Sequence, residues 1–185
     1  MFTLVTSNQE KIHFAKLALN ELDLEFDVES GLHLIEIQAD TPNEIIIHKA
    51  HEAFEQLKRP VVVSDHWWEI SALNGFPGPY MRFINDRWQS DDLLRLMSGK
   101  KDRKAIFIES ICYKDQDREN VFQTKLMGEV LSEARGKGLC SQEIISLSRD
   151  GKSIAWHLNN GTDPRGKYNQ KKVWKDLSEW LRVHR

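Results

Sequence analysis

Three consecutive valines, Val61-Val62-Val63, follow Pro60 and lead into Ser64-Asp65. A β-branched run this dense is the best candidate in the chain for a central strand. The segments before it read as alternating strand and helix. Phe2 to Val5 reads as a short buried strand, and Thr6-Ser7-Asn8 as a polar turn ending in a helix N-cap. From Glu10 to about Leu22, the apolar positions Ile12, Phe14, Ala15, Leu17, Ala18, Leu19 and Leu22 recur at helical spacing. Phe26 to Ile37 reads as mostly extended, with Leu32, Leu34 and Ile35 at strand or strand-end positions. Thr41-Pro42-Asn43-Glu44 carries a capping-box signature and opens a helix through Ile45, Ile46, Ala50, Ala53, Phe54 and Leu57. The expectation is an α/β fold with Asp65 just past the C-terminal end of the valine strand. In open α/β sheets ligands gather beyond the carboxyl ends of strands, and both Thr6-Ser7-Asn8 and Asp65 fall there.

Further along, Asn74-Gly75-Phe76-Pro77-Gly78-Pro79 is a turn cluster too rich in Gly and Pro for helix or strand. Asp91 to Met97 reads as a short helix and Ala105 to Tyr113 as a strand. Val121 to Met127 reads as its partner across a hairpin turn at Lys114-Asp115-Gln116-Asp117. A helix from about Lys171 to Val183 closes the chain, with Val173, Trp174, Leu177, Trp180 and Leu181 on one face. No repeat or low-complexity linker interrupts the 185 residues, a length that suits one domain, 1–185, built as two lobes.

The 26 basic and 28 acidic residues leave a formal charge of -2, so no global basic field exists to hold a nucleic-acid backbone. The basic stretch from Arg165 to Arg185 reads as the solvated face of a helix. Cys112 and Cys140 are too few and too far apart for a disulfide framework or a zinc site, and read as thiols in a reducing compartment. The apolar start, Met1 to Val5, is too short for a signal segment or a membrane span. A cytoplasmic protein with neither a nucleic-acid nor a membrane partner is expected.

Phosphate recognition needs backbone N–H groups and a cation, which a strand, polar turn and helix supply. Thr6, Ser7 and Asn8 offer donors, and Lys11 lies on the first helical turn; a capped helix with a solvated lysine is the plainer alternative. Magnesium needs one or two carboxylates plus substrate oxygens, and Glu36, Asp40, Glu44 and Asp65 flank a helix and a strand end. Lys49 lies about a turn beyond Glu44. It could point a charge toward the same place, or pair with Glu52 at the surface.

The order of these pieces is more specific than any one of them. Thr6-x-Asn8-x-x-Lys11 is followed by Glu36-Ile37-Gln38, Glu44-Ile45 with Lys49-Ala50, and Pro60-Val61-Val62-Val63-Ser64-Asp65. Ala72-Leu73-Asn74-Gly75-Phe76-Pro77-Gly78-Pro79-Tyr80 comes last and is the most distinctive. This resembles the inosine triphosphate pyrophosphatase family, enzymes that remove non-canonical purine nucleotides, closely over residues 3 to about 84 and weakly beyond. The resemblance implies an ITPase-like fold of the anticodon-binding and Maf-like class, an elongated mixed sheet with helices forming two lobes around a central cleft. It also implies a homodimer, a magnesium cofactor and a nucleoside triphosphate substrate cut to monophosphate and pyrophosphate. Carried over by position, Thr6, Ser7, Asn8, Lys11, Lys49 and Ser64 would bind substrate, and Glu36 and Asp65 would hold the metal. Lys11 and Asp65 would be catalytic, Asp65 orienting or deprotonating the attacking water.

The chain departs from the family's pattern in three places. Ser64 stands where the family has an acid, and His66-Trp67-Trp68 where it has compact residues; either tryptophan could pack or stack on a base. Gly138-Leu139-Cys140-Ser141-Gln142-Glu143-Ile144-Ile145 takes the place of Gly-Phe-Gly-Trp-Asp-Pro and a hydrophobic pair. Lys167-Tyr168-Asn169-Gln170-Lys171-Lys172 lies where Ser-His-Arg is expected. Three readings stay open: a pyrophosphatase with an altered base pocket, a nucleotide-binding pseudoenzyme, and an unrelated α/β binding module.

Overall fold

The computed structural model describes residues 1–22, 24–39, 41–148, 150–165 and 170–184, with the backbone alone for Gln170. Asp40, one of the candidate carboxylates, and Lys167, Tyr168 and Asn169 lie outside the described residues. The elements run β1 (Phe2–Val5), α1 (Gln9–Glu21), β2 (Phe26–Glu29), α2 (Pro42–Leu57) and β3 (Val61–Ile70). Two 3-10 turns, Ser71–Leu73 and Gly78–Tyr80, lead to α3 (Met81–Arg87) and α4 (Ser90–Leu96). Then come β4 (Lys104–Lys114), β5 (Glu119–Val130), α5 (Cys140–Ile144), β6 (Ile145–Ser146), α6 (Ile154–Asn159) and α7 (Gln170–Val183). The expected mixed α/β architecture is present: the strands form one sheet in the order β2-β1-β3-β4-β5-β6. β1 runs parallel to β2 and β3, and β5 is antiparallel to β6.

The chain divides into two compact units. The first takes in Met1–His66, Glu109–Thr124 and the C-terminal stretch with α7; the second takes in Trp67–Ile108 and the chain from Lys125 through α6. In the first unit the valine run is buried because its alternating side chains meet helices on both faces. Val62 joins Leu4, Ile111 and Phe122 against Ala15 and Leu19 of α1 and Val173, Trp174 and Leu177 of α7. Val61 and Val63 join Val5 and Cys112 against Ile46, Ala50, Ala53 and Phe54 of α2. The second unit has its own core, in which Trp67 and Trp68 pack with Ile84, Leu93, Phe107, Ile144 and Ile154. Trp68 lies with its ring centroid 4.9 Å from that of Phe107.

Two readings from the sequence need correction. β3 continues through Ile70, so Asp65 lies within the strand rather than past its end. The cause is the aromatic and β-branched composition of Trp67-Trp68-Glu69-Ile70, which prolongs the extended pattern and buries both tryptophans. Regular pairing beyond β1 stops at Glu29, so 30–39 is not the long extended segment expected. Leu32 and Leu34 are instead held from the side, against the α2 core. The sequence pattern predicts no helix at α3, α5 or α6, each seven residues or fewer; α4, equally short, is the one it finds.

Candidate functional site

Asn8 caps α1. Its Oδ1 accepts from the Glu10 and Lys11 amides at 2.9 and 3.2 Å. Thr6 Oγ1 accepts from the Asn8 amide at 3.2 Å, and the Thr6 amide donates to Glu29 O at 3.0 Å. The turn is thus fixed by its own side chains, and Ser7 is exposed beside it. Of the three residues read as offering phosphate donors, Thr6 and Asn8 already have their amides engaged, by Glu29 O and Thr6 Oγ1, which moves the weight of anion recognition to Lys11.

Lys11 does not point into solvent. Its Nζ donates to Ser64 O at 2.9 Å and lies 3.4 Å from Asp65 Oδ1. Lys49 reaches the same carboxylate from α2, 2.8 Å from Asp65 Oδ2 and also 2.8 Å from Glu36 Oε1. The surface pairing of Lys49 with Glu52 is therefore excluded. Lys49 is 8% exposed because the turns of α2 that carry Ile46, Ala50 and Ala53 are pressed onto the sheet. Glu52 has a different part: its Oε2 accepts from the Ile35 amide at 2.7 Å and tethers the irregular segment that presents Glu36. Nothing local in the sequence signals that contact. Glu44 serves the N-cap of α2, where Thr41 Oγ1 donates to Glu44 Oε1 at 2.6 Å.

Burial by itself would push the Asp65 carboxyl up. The Lys11 and Lys49 ammoniums outweigh that and, with the Lys49 hydrogen bond, hold it well below the ordinary carboxylate range. Burial would likewise lower Lys49, but Asp65 and Glu36 raise it above its ordinary value. The His66 amide completes the shell by donating to Asp65 Oδ1 at 2.9 Å. Ser64 contributes its carbonyl to Lys11. Its hydroxyl is buried without a hydrogen-bond partner among the described residues. Strand alternation places the side chain at 64 on the opposite face from Asp65, so a carboxylate there would not have joined this cluster from the same side.

Glu36 and Asp65 are hard oxygen donors that converge on one nitrogen at 2.8 Å each, the spacing at which a single cation bridges two carboxylates. No group of three or more potential metal ligands occurs among the described residues. Two carboxylates suit magnesium, which takes one or two from a protein and its remaining ligands from water and phosphate.

The residues that depart from the family pattern are engaged elsewhere. Trp67 and Trp68 pack rather than stack on a ligand, and Trp67 Nε1 donates to Glu69 Oε1 at 3.0 Å. In the 138–145 stretch, Ser141 Oγ donates to Asn85 Oδ1 at 2.9 Å. Glu143 accepts from the Gly138 amide at 2.9 Å and from Ser90 Oγ. Lys171 pairs with Glu21 at 2.6 Å and Lys172 with Asp176 at 2.5 Å, while Lys152 lies 3.8 Å over the Trp156 ring.

A sequence model of the Ham1 family matches residues 2–141. The dITP/XTP pyrophosphatase of Methanopyrus kandleri is 35% identical over 179 residues, which cover 96% of this chain and 94% of that protein. The dITP/XTP pyrophosphatase of Ignicoccus hospitalis is 34% identical over 134 residues, 71% of each chain. Among solved structures, the Staphylococcus aureus Ham1 protein aligns with a TM-score of 0.77 at 23% identity, covering 99% of this chain and 100% of its own. A HAM1 protein from Coxiella burnetii aligns equally well, with a TM-score of 0.77 at 21% identity and coverage of 99% and 100%. At those identities the structures speak for the fold alone. With the family's sequence model spanning most of the chain and a relative matched nearly end to end, the resemblance read from the ordered motifs is borne out, and the chain belongs to the Ham1 family.

Proposed function

We propose that this chain hydrolyses a non-canonical purine nucleoside triphosphate, of the dITP or XTP kind for which its relatives are named, to the monophosphate and pyrophosphate. The observation that carries the reading is the convergence of Lys11, Lys49 and Glu36, from three separate segments, around the carboxylate of Asp65. In-line attack on phosphorus calls for positioning and charge neutralisation far more than for covalent chemistry, and this cluster supplies both.

In this reading Lys11 and Lys49 take the triphosphate oxygens, Thr6, Ser7 and Asn8 flank them on the turn before α1, and Ser64 takes part through its carbonyl, which positions Lys11. Glu36 and Asp65 hold magnesium, which when bound neutralises phosphate charge and orients substrate. Water forms the new bond to the α-phosphorus as the bond to the bridging oxygen breaks, and pyrophosphate departs. Asp65 orients the attacking water or takes its proton as the new bond forms. The enzyme works as one domain with two lobes, as a homodimer and in the cytoplasm; the free buried thiols of Cys112 and Cys140 accord with a reducing compartment. Among the described residues no helix is long and apolar enough to cross a membrane.

A magnesium-dependent pyrophosphate-release screen over ordinary and modified nucleoside triphosphates tests the reading. Release from dITP or XTP in preference to ATP and GTP is the expected result, and no release from any of them overturns it. Sedimentation at twice the 21.6 kDa chain mass is expected for the dimer.

A further inference from the structure

The candidate site carries its own counter-ion. Lys49 Nζ lies 2.8 Å from Glu36 Oε1 and 2.8 Å from Asp65 Oδ2, and the residue is buried on α2. Two carboxylates close enough to share one nitrogen repel each other unless a cation stands between them. Magnesium meets the same need with the same oxygens, and an ammonium and a divalent ion cannot both occupy a partly buried gap of this width. A lysine is suited to yielding the place. Its charge is a point on a flexible stem, with three donors that phosphate oxygens can accept as readily as carboxylates. Asp65 is held a second time by Lys11, whose charge also opposes a metal on that carboxylate.

Resting on the reading above, we propose that Lys49 is the resting occupant of the cation position between Glu36 and Asp65. A divalent ion enters there only when a triphosphate has drawn the ammonium onto its own oxygens. Metal loading is then coupled to nucleotide binding: the nucleotide-free protein holds the ion weakly, and each ligand raises the affinity for the other by the same factor.

Manganese binding to the full-length chain, followed by the electron paramagnetic resonance of the free ion, tests this without turnover. The titration is made with and without a nucleoside triphosphate analogue bearing a methylene in the α–β bridge, against the analogue alone. Nucleotide-free Lys49→Met is expected to bind manganese about tenfold or more tighter than nucleotide-free wild type, a coupling of ordinary size. Adding Glu36→Gln to that variant should remove the gain. Where circular dichroism shows Lys49→Met unfolded, Lys49→Gln serves the same comparison, since it keeps a donor to both carboxylates and removes the charge. Equal or weaker manganese binding by the folded Lys49 variant overturns the proposal, as does a gain that survives Glu36→Gln. The nucleotide screen judges the pyrophosphatase reading separately, so failure of one is distinguishable from failure of the other.

Discussion

Asp65 takes the charge of two lysines and the His66 amide on one carboxylate, and most of what the site can do turns on that concentration. Asp65→Asn keeps the shape and removes the charge, so kcat for pyrophosphate release should fall by about 10²- to 10⁴-fold while nucleotide still binds. Steady-state kinetics beside equilibrium binding would show it, and unchanged turnover would end the assignment. Lys11→Ala should act on the other parameter, raising KM about tenfold or more through loss of a phosphate contact. An unaltered KM would count against Lys11 as a phosphate ligand. The same carboxylate sets an acid limb of stability. Its folded pKa lies below the unfolded value of about 3.9, so its contribution is complete above that value and drains away as pH falls through and below it. The difference in denaturant stability between wild type and Asp65→Asn should therefore shrink between about pH 5 and about pH 2. Lys49 works in the opposite sense. Its raised pKa keeps its contribution intact below its ordinary value of about 10.4 and loses it only as pH rises through the folded value.

At the scale of elements, α2 matters most, because it carries Lys49 on a buried face and begins at a side-chain cap. Thr41 accepts from the Glu44 amide at 3.4 Å and donates to the Glu44 carboxylate, so the cap holds by both partners. Thr41→Ala should cost about 1 kcal/mol and lower Tm by about 2–4 °C, readable by calorimetry. β3 is the other decisive element. By running on through Trp67 and Trp68 it ties the strand bearing Asp65 to residues of a second hydrophobic core. Trp68→Phe, which keeps most of the apolar volume beside Phe107, should lose stability without altering the ranking of nucleotides by kcat/KM. A changed ranking would show that the ring reads the base. The capping signatures at Asn8 and Thr41 were legible in the sequence because a cap depends on neighbours two or three residues away. The end of β3 was misread because whether a Trp-Trp pair packs or ends a strand depends on what it meets.

At the scale of the molecule, each unit has its own core. In the first, Trp174 of α7 is buried with Ala15, Ala18 and Leu19 of α1 and Phe2 and Leu4 of β1. Trp174→Ala should therefore destabilise by about 3–5 kcal/mol, a loss that chemical denaturation would register. A loss under 1 kcal/mol would show that the C-terminal helix is dispensable to that core. The amphipathic period of α7 was plain in the sequence, yet that period names no partner. Only the folded chain shows its Trp174 face against α1 and its Lys171 against Glu21.

The sequence by itself determined the α/β class, the central valine strand and the caps of α1 and α2. Those are properties of local order: side-chain alternation, helical period and hydrogen bonds to near neighbours. Lys11, Glu36, Lys49 and Asp65 came forward by another route, the order of motifs that resembles the family's. What only the tertiary structure decided is how the four charged groups meet. Lys49 bridges Glu36 and Asp65 across 13 and 16 residues, and Lys11 reaches Asp65 across 54. Contacts at such separations depend on the parallel pairing of β1 with β3 and the packing of α2 on the sheet. Burial there turned what could have been a solvated lysine into a shared counter-ion, because a charge removed from water must find a partner or not be charged at all.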